Sequence, residues 1–320
     1  MSTIPLHAGI PRPSPRSMAN TNERSTLRTG AVASLVVAIV LWGANWPIMK
    51  AGLSHANPIW FSAIRFLTGG ACLFAFEAIR GDLRLPSKRD LPFVASIGIL
   101  QMMAFTALGA IAMKHVSAGR SAVLSYTTLL WVVPASIFLF RERPRWTSIL
   151  GVVIAAAGVI FLINPMAQIE AGVSMLPNAM LLAASLCWAL CILHLRYFKS
   201  SSSAYALAPW QMLLAGGALA VIAFIEEGAI PGDGTPMFWA TIGFVGPVAT
   251  AFCFCAVNAA STWLPATGMS LAMLGVPLTG VAISTLTLGE KMTPDLIGGC
   301  AAIVAGIVLQ MKIKFHGEAK

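Results

Sequence analysis

The chain has 320 residues, of which 57% are hydrophobic and only 10% charged, with a mean hydropathy of +0.79. A soluble domain carries roughly 25% charged residues, so a water-soluble globule is excluded. The net charge of +9 would suggest nucleic acid in a soluble protein, but its distribution along this chain assigns it to membrane orientation instead.

Residues 1–28 hold Pro11, Pro13, Pro15, four arginines and several Ser and Thr without a hydrophobic run. That composition predicts a disordered arm and excludes a signal peptide. Apolar runs long enough to cross a bilayer as helices then follow. Ten are counted, at about 30–49, 58–79, 91–113, 118–140, 147–163, 176–197, 206–225, 236–258, 266–288 and 294–311. No ten-residue alternation suggests a barrel, so the expected class is an all-α membrane protein with ten transmembrane helices. The loops are short and leave no room for a soluble catalytic domain.

The chain also repeats itself. Glu142, Ile149, Gly151, Ala157 and Gly158 recur 148 residues later as Glu290, Ile297, Gly299, Ala305 and Gly306. Trp42 recurs as Trp188 at a spacing of 146, and Gly69-Gly70 as Gly216-Gly217 at 147. The expected units are a first repeat over 29–163, a connecting segment over 164–174, a second repeat over 175–312 and a tail over 313–320. Five spans per repeat is an odd number, so the second repeat enters the membrane from the opposite side. Inverted repeats give one fold two nearly equivalent gates around a central site, which is the architecture of transporters.

Sixteen Lys and Arg fall on the side of the N-terminus, among them Arg80, Arg84, Lys88, Arg89, Arg141, Arg143 and Arg145. The other side holds four: Lys50, Lys114, Arg120 and Lys291. Cytoplasmic excess of basic residues is the ordinary orientation signal, so both termini are expected inside the inner (plasma) membrane. All six cysteines lie within apolar spans and act as small packing residues rather than as a disulfide framework. Spans five and ten carry Gly151, Ala155 and Gly158, then Gly299, Ala302 and Gly306, which permit close helix approach within a monomer or across a homodimer.

Arg65 is the basic residue set deep inside a span. Holding an Arg there costs at least about 2.5 kcal/mol unless it is paired or hydrated. No acid is available deep in another span, so a substrate carboxylate is one candidate partner. Backbone carbonyls or snorkelling to the surface are the structural alternative. Trp42, Asn45, Trp46 and Pro47 concentrate in span one, where Asn45 needs partners and Pro47 removes a backbone bond. Tyr126, Thr127 and Trp131 form a second polar-aromatic group, and Gln101, Trp188, Gln211 and Asn258 complete the candidate lining. Each of these is equally readable as an interhelical hydrogen bond or as core packing. His194 is the histidine placed for proton coupling, or else an end residue beside Arg196.

Leu41-Trp42-Gly43-Ala44-Asn45-Trp46, Pro58 followed by Arg65, and two helix pairs ending in Glu142 and Glu290 resemble the drug/metabolite transporter superfamily, in its EamA-type ten-helix branch. The resemblance covers about residues 30–312. It implies a cavity lined by helices one to four and six to nine, with helices five and ten peripheral. Pro277, thirteen residues before Glu290, fits the family pattern. Leu129 stands at the matching first-half position with Pro134 five residues later, so a kink is expected at Pro134. Pro47, Pro134 and Pro277 are the expected gating positions.

The expectation is therefore an exporter of small organic solutes, foremost aromatic and other neutral amino acids, working by alternating access without a cofactor. Another metabolite or a drug-like cation is the alternative. Two other classes were weighed. Cys187, Cys191 and His194 share one helix face and would suit a soft metal ion. Gly268-Met269-Ser270-Leu271-Ala272 invites a serine hydrolase, but its base should be a histidine in a neighbouring span and the only later histidine is His316 in the tail. No P-loop, HExxH or dinucleotide fingerprint is present, so the protein is not expected to be an enzyme.

Overall fold

The computed structural model describes residues 15–312 apart from Ile230 and Pro265. Ten apolar helices run through it: α1 (Pro15–Gly52), α2 (Pro58–Arg80), α3 (Leu91–Met113), α4 (Ala118–Phe140), α5 (Trp146–Ile163), α6 (Leu176–Tyr197), α7 (Ala204–Glu226), α8 (Pro236–Ser261), α9 (Ala266–Leu288) and α10 (Pro294–Lys312). Nine stretches among the described residues are long and apolar enough to span a membrane, and the tenth is the shorter apolar helix Pro294–Leu309. α1 begins earlier than expected. Residues 15–28, assigned in the sequence to a disordered arm, are helical, and only 1–14 of that arm lie outside the described residues. Pro15 has a backbone suited to the first helical position, and extending an existing helix costs far less than nucleating one. The tail over 313–320 also lies outside the described residues.

The repeat is visible in the interruptions of the helices. α3 widens to a π-helix over Ser96–Ala104, and α8 does so over Phe244–Phe252. α4 divides into Ala118–Ser125 and Leu129–Phe140, and α9 into Ala266–Met273 and Gly275–Leu288. Each feature recurs at or within two residues of the 148-residue offset. The interruption of α4 falls at Tyr126–Thr128, ahead of Pro134, which sits within a continuous helical segment. No proline is needed to make it. Thr127 N–H reaches the Leu124 carbonyl at 3.2 Å, and the Thr127 hydroxyl donates to the same oxygen at 2.6 Å. Together they satisfy a carbonyl released by the tightened turn. Pro277 stands in the first turn of its segment, where proline is tolerated, and Pro47 lies inside α1.

α5 and α10 lie outside the bundle and pack face to face. A Cβ on Gly158 would meet the Gly299 carbonyl at 3.0 Å, and one on Gly299 would meet the Gly158 carbonyl at 2.8 Å. The small-residue faces of these helices are thus spent within one chain. α9 packs behind α1, where Gly43 lies so close to Thr279 that any Cβ would overlap its hydroxyl.

The loops are tied in pairs that obey the same inverted symmetry. At the basic end, Asp90 of the α2–α3 loop accepts from the Ser87 hydroxyl at 2.7 Å and from Ser201 N–H at 2.7 Å and the Ser202 hydroxyl at 2.8 Å in the α6–α7 loop. At the opposite end, Asp233 of the α7–α8 loop contacts His55 Nδ1 at 2.7 Å and accepts from Thr235 N–H at 3.0 Å. The Ser87 hydrogen bond, with those from Ser202 and Ser201, holds the Asp90 carboxyl well below the usual carboxylate range. The His55 bond, with that of Thr235 N–H, lowers Asp233 to about 2.

Candidate functional site

A cavity of about 170 Å³ lies at the centre of the bundle, lined from α1, α2, α3, α4, α6, α7 and α8. Seven of the residues singled out in the sequence line it: Trp42, Asn45, Trp46, Arg65, Gln101, Tyr126 and Trp188. The π-helices contribute at matching positions, Gln101 and Met102 from α3 and Ala249 and Thr250 from α8. A widened turn turns carbonyls away from the helix ladder and leaves them open to side chains. Accordingly, Trp42 Nε1 donates to the Ala249 carbonyl at 2.6 Å, and the Thr250 hydroxyl donates to the Val245 carbonyl at 2.7 Å.

That hydroxyl oxygen in turn accepts from Arg65 Nε at 2.8 Å. Arg65 Nη1 points to the Met49 sulfur at 3.2 Å, and its guanidinium carbon lies 5.6 Å from the Phe66 ring centroid. Among the described residues Arg65 forms no ion pair, and no Asp or Glu lines the cavity. The cation is oriented by neutral groups, with no counter-charge among the described residues lining the cavity. Asn45 is 6% exposed; its Nδ2 donates to the same Met49 sulfur at 3.1 Å, and its buried Oδ1 has no partner among the described residues. Trp188 meets Phe105 and Tyr126 edge to face at 5.0 and 5.3 Å, building one aromatic wall, with Trp42 and Trp46 on the α1 side.

Four expected lining residues are placed elsewhere. Thr127 and Trp131 bond the Ser185 hydroxyl at 3.2 and 2.8 Å, tying α4 to α6. Gln211 is buried one residue before the lining Met212 but does not itself line the cavity. Asn258 donates back to the Phe254 carbonyl of its own helix at 2.9 Å. His194 sits near the basic end of α6, bonded to the Ser96 hydroxyl at 2.7 Å and stacked on Phe93 at 4.5 Å, away from the cavity. No cluster of potential metal ligands exists among the described residues; Cys191 instead faces Gln101 at 3.5 Å. The Ser270 side chain lies outside the described residues. None of the described residues of α9, expected in the lining, lines the cavity; its Thr279 packs against Gly43 of α1.

Met212 was missed, although the sequence carries a signal for it. The glycine pairs fix an offset of 147 between α2 and α7, which makes Met212 the repeat counterpart of Arg65. Met49, Phe105 and Phe254 were missed because an apolar residue in an apolar helix carries no mark of the face it occupies.

The two ends of the bundle differ. At the opposite end, the α4 segment Ala118–Ser125 is buried except for Arg120 and packs on the second segment of α9. Glu290 closes this end by accepting from Ala118 N–H at 2.6 Å and Gly119 N–H at 2.9 Å. Lys50 donates to the Met113 and Val116 carbonyls, and Arg120 pairs with Asp295 at 3.3 Å. At the basic end, none of the described side chains of the counterpart segment 266–273 is buried. Glu142 there is held by Arg196 at 2.9 Å and by the Tyr197 hydroxyl, in a half-exposed cluster.

A family model for the EamA-like transporter family matches residues 29–164 and again 175–311. The chain belongs to the EamA-like transporter family. The two matches are its two inverted repeats, and the family places the protein among membrane transporters rather than enzymes. The chain is 23% identical over 86% of its length to an uncharacterized transporter, YoaV, of Bacillus subtilis, covering 94% of that protein. It is 26% identical over 89% of its length to a probable amino-acid metabolite efflux pump of Salmonella typhimurium, covering 95% of that protein. A probable terminal-alkyne amino-acid exporter of Streptantibioticus cattleyicolor is also 26% identical, over 87% of this chain and 92% of that one. A crystal structure with 20% sequence identity superposes with a TM-score of 0.62, covering 91% of this chain and 99% of that one, a likeness of fold.

Proposed function

We infer that this EamA-like transporter exports small organic solutes, foremost neutral and aromatic amino acids, across the inner membrane by alternating access. The observation that carries this reading is Arg65, a cavity cation oriented by Thr250 and Met49 and lacking a carboxylate partner among the described residues. A planar guanidinium fixed at Nε and Nη1 keeps Nη2 for a substrate carboxylate. The aromatic walls suit an apolar side chain. A drug-like cation would meet Arg65 with nothing acidic beside it, which disfavours that alternative. The names of the Salmonella and Streptantibioticus relatives lend support. With the basic end taken as cytoplasmic, the packed end faces outward and the cavity loads from within, as an exporter requires. No acid lines the cavity and His194 lies away from it, which favours transport driven by the solute's own gradient.

The test is uptake of a labelled amino-acid panel by proteoliposomes, with and without an imposed pH gradient. Saturable uptake without the gradient is expected. Arg65→Ala should reduce it at least about ten-fold, the loss of a charge-assisted pair, while the protein remains folded. Unchanged flux in that variant would remove the carboxylate role. Stimulation by the gradient would overturn the uncoupled mechanism.

A further inference from the structure

The unpaired polar groups of the bundle fall into two kinds. Five side-chain atoms without partners among the described residues, Asn45 Oδ1 and Ser125 Oγ among them, are sealed by their neighbours. The Tyr126 hydroxyl, the Thr106 hydroxyl and the Gln101 amide nitrogen also lack a hydrogen bond among the described residues. These three are not sealed, and their residues all line the cavity. Tyr126 is the most firmly placed. Its N–H donates to the Val123 carbonyl at 3.2 Å, at the end of the packed segment Ala118–Ser125. Its ring packs on the apolar clusters around Trp46 and Val276 and meets Trp188 edge to face at 5.3 Å. With those flanks covered, the space its hydroxyl reaches is the cavity.

A forked grip on a carboxylate takes two adjacent guanidinium nitrogens. In Arg65, Nε is spent on Thr250 and Nη1 on the Met49 sulfur, which leaves Nη2. A carboxylate bound at Nη2 keeps one oxygen in need of its own donor, because a desolvated acceptor left unpaired is costly. The Tyr126 hydroxyl lies within electrostatic reach of the guanidinium without a hydrogen bond between them, so a gap separates the two. We propose that the Tyr126 hydroxyl donates to the second carboxylate oxygen of a solute whose first oxygen lies on Arg65 Nη2. This rests on the carboxylate role given to Arg65 above. The contact makes Tyr126 a specificity residue. It favours a carboxylate, which accepts at both oxygens, over a primary amide, which accepts at one. Thr106 and Gln101 are weaker donors for the same oxygen, since an aliphatic hydroxyl and an amide are less acidic than a phenol. Gln101 is also drawn toward α6, where Cys191 Sγ meets its Oε1 at 3.5 Å.

The test uses the full-length protein in nanodiscs and thermal-shift binding of the twenty amino acids. The tightest-binding one is then compared with its primary amide, which keeps the side chain and the amine. The acid should bind about ten-fold or more tightly than the amide. Tyr126→Phe removes one oxygen atom and keeps the ring against Trp188. It should weaken binding of the acid about ten-fold and leave that of the amide unchanged. Without ligand, Tyr126→Phe should melt with the native protein, because the hydroxyl has no bond to lose. A lowered unliganded melting temperature with unchanged affinity would mark a structural hydroxyl and overturn the proposal. Undiminished preference for the acid in Tyr126→Phe would overturn the role of Tyr126 while leaving that of Arg65 intact. Loss of that preference in Thr106→Val instead would overturn it in favour of Thr106. Equal binding of acid and amide by the native protein would remove the carboxylate reading of Arg65 and this proposal with it. Absence of binding by any amino acid would do the same.

Discussion

The end of the cavity closed by Glu290 and the end marked by Glu142 are built from one repeated pattern, yet they pack differently. At the Glu290 end, Gly119, Ala122 and Gly280 bring α4 and α9 together; a Cβ on Gly280 would lie 3.2 Å from the Ala122 methyl and 3.3 Å from Trp46. The sequence places Thr267, Ser270 and Val132 at the same three positions of the other repeat. Larger residues raise the cost of closing that end to the same spacing. The acids differ as well. Glu290 accepts two backbone N–H groups at a helix start, whereas Glu142 pairs with a half-exposed arginine. An inverted repeat supplies two gates of equal design, and side-chain volume is a term by which the cost of closing them can differ.

The largest effect is expected where the volumes are made equal. Gly280→Val gives the closed end the side chain its counterpart already carries, and overpacking costs about 1–3 kcal/mol. Ser121, fully buried in the closed end, reads this out. As Ser121→Cys in a cysteine-free background it should be protected from a membrane-impermeant maleimide, and Gly280→Val should expose it. Continued protection would mean that volume does not set the asymmetry. Glu290→Gln comes next. Loss of the charge over the Ala118 and Gly119 N–H groups should cost about 1–2 kcal/mol and raise the same labelling several-fold. Glu142→Gln breaks a partly solvated pair worth under about 1 kcal/mol and should leave Ser121 labelling unchanged. An equal response to the two acids would erase the distinction drawn between the ends.

The smallest effect concerns pH. Hydrogen bonds depress the carboxyl of Asp233 to about 2. A carboxylate with a lowered folded value contributes stability above its unfolded value near 4 and loses it as pH falls through about 2. The melting temperature should therefore be flat with respect to Asp233 from pH 8 to 5. It should then fall below about pH 4 in the native protein and less steeply in Asp233→Asn. A fall already complete at pH 5 would place the sensitive group elsewhere.

Trp42, Asn45, Trp46 and Arg65 were legible as candidates because a polar or aromatic residue stands out in an apolar helix. Their convergence on one cavity was not. Thr127 and Trp131 carry the same signal and are spent on Ser185 between helices. The interruption of α4 was expected at Pro134 because proline is the visible breaker. It falls at Tyr126–Thr128, where a threonine hydroxyl does the same work without a recognisable mark. The arm over 15–28 was read from composition, which does not register that an adjoining helix can extend into it.

Sequence alone determined the number of spans, the all-helical class, the inverted repeat and the presence of one deep cation. These depend on local hydropathy, counting and spacing, which each segment carries within itself. Only the tertiary structure decided which face of each helix looks inward, which polar groups are left without partners, and which end is packed shut. A helix that is apolar on every side has no preferred face of its own. Its orientation is set by the neighbours it packs against, through contacts between residues far apart in the chain.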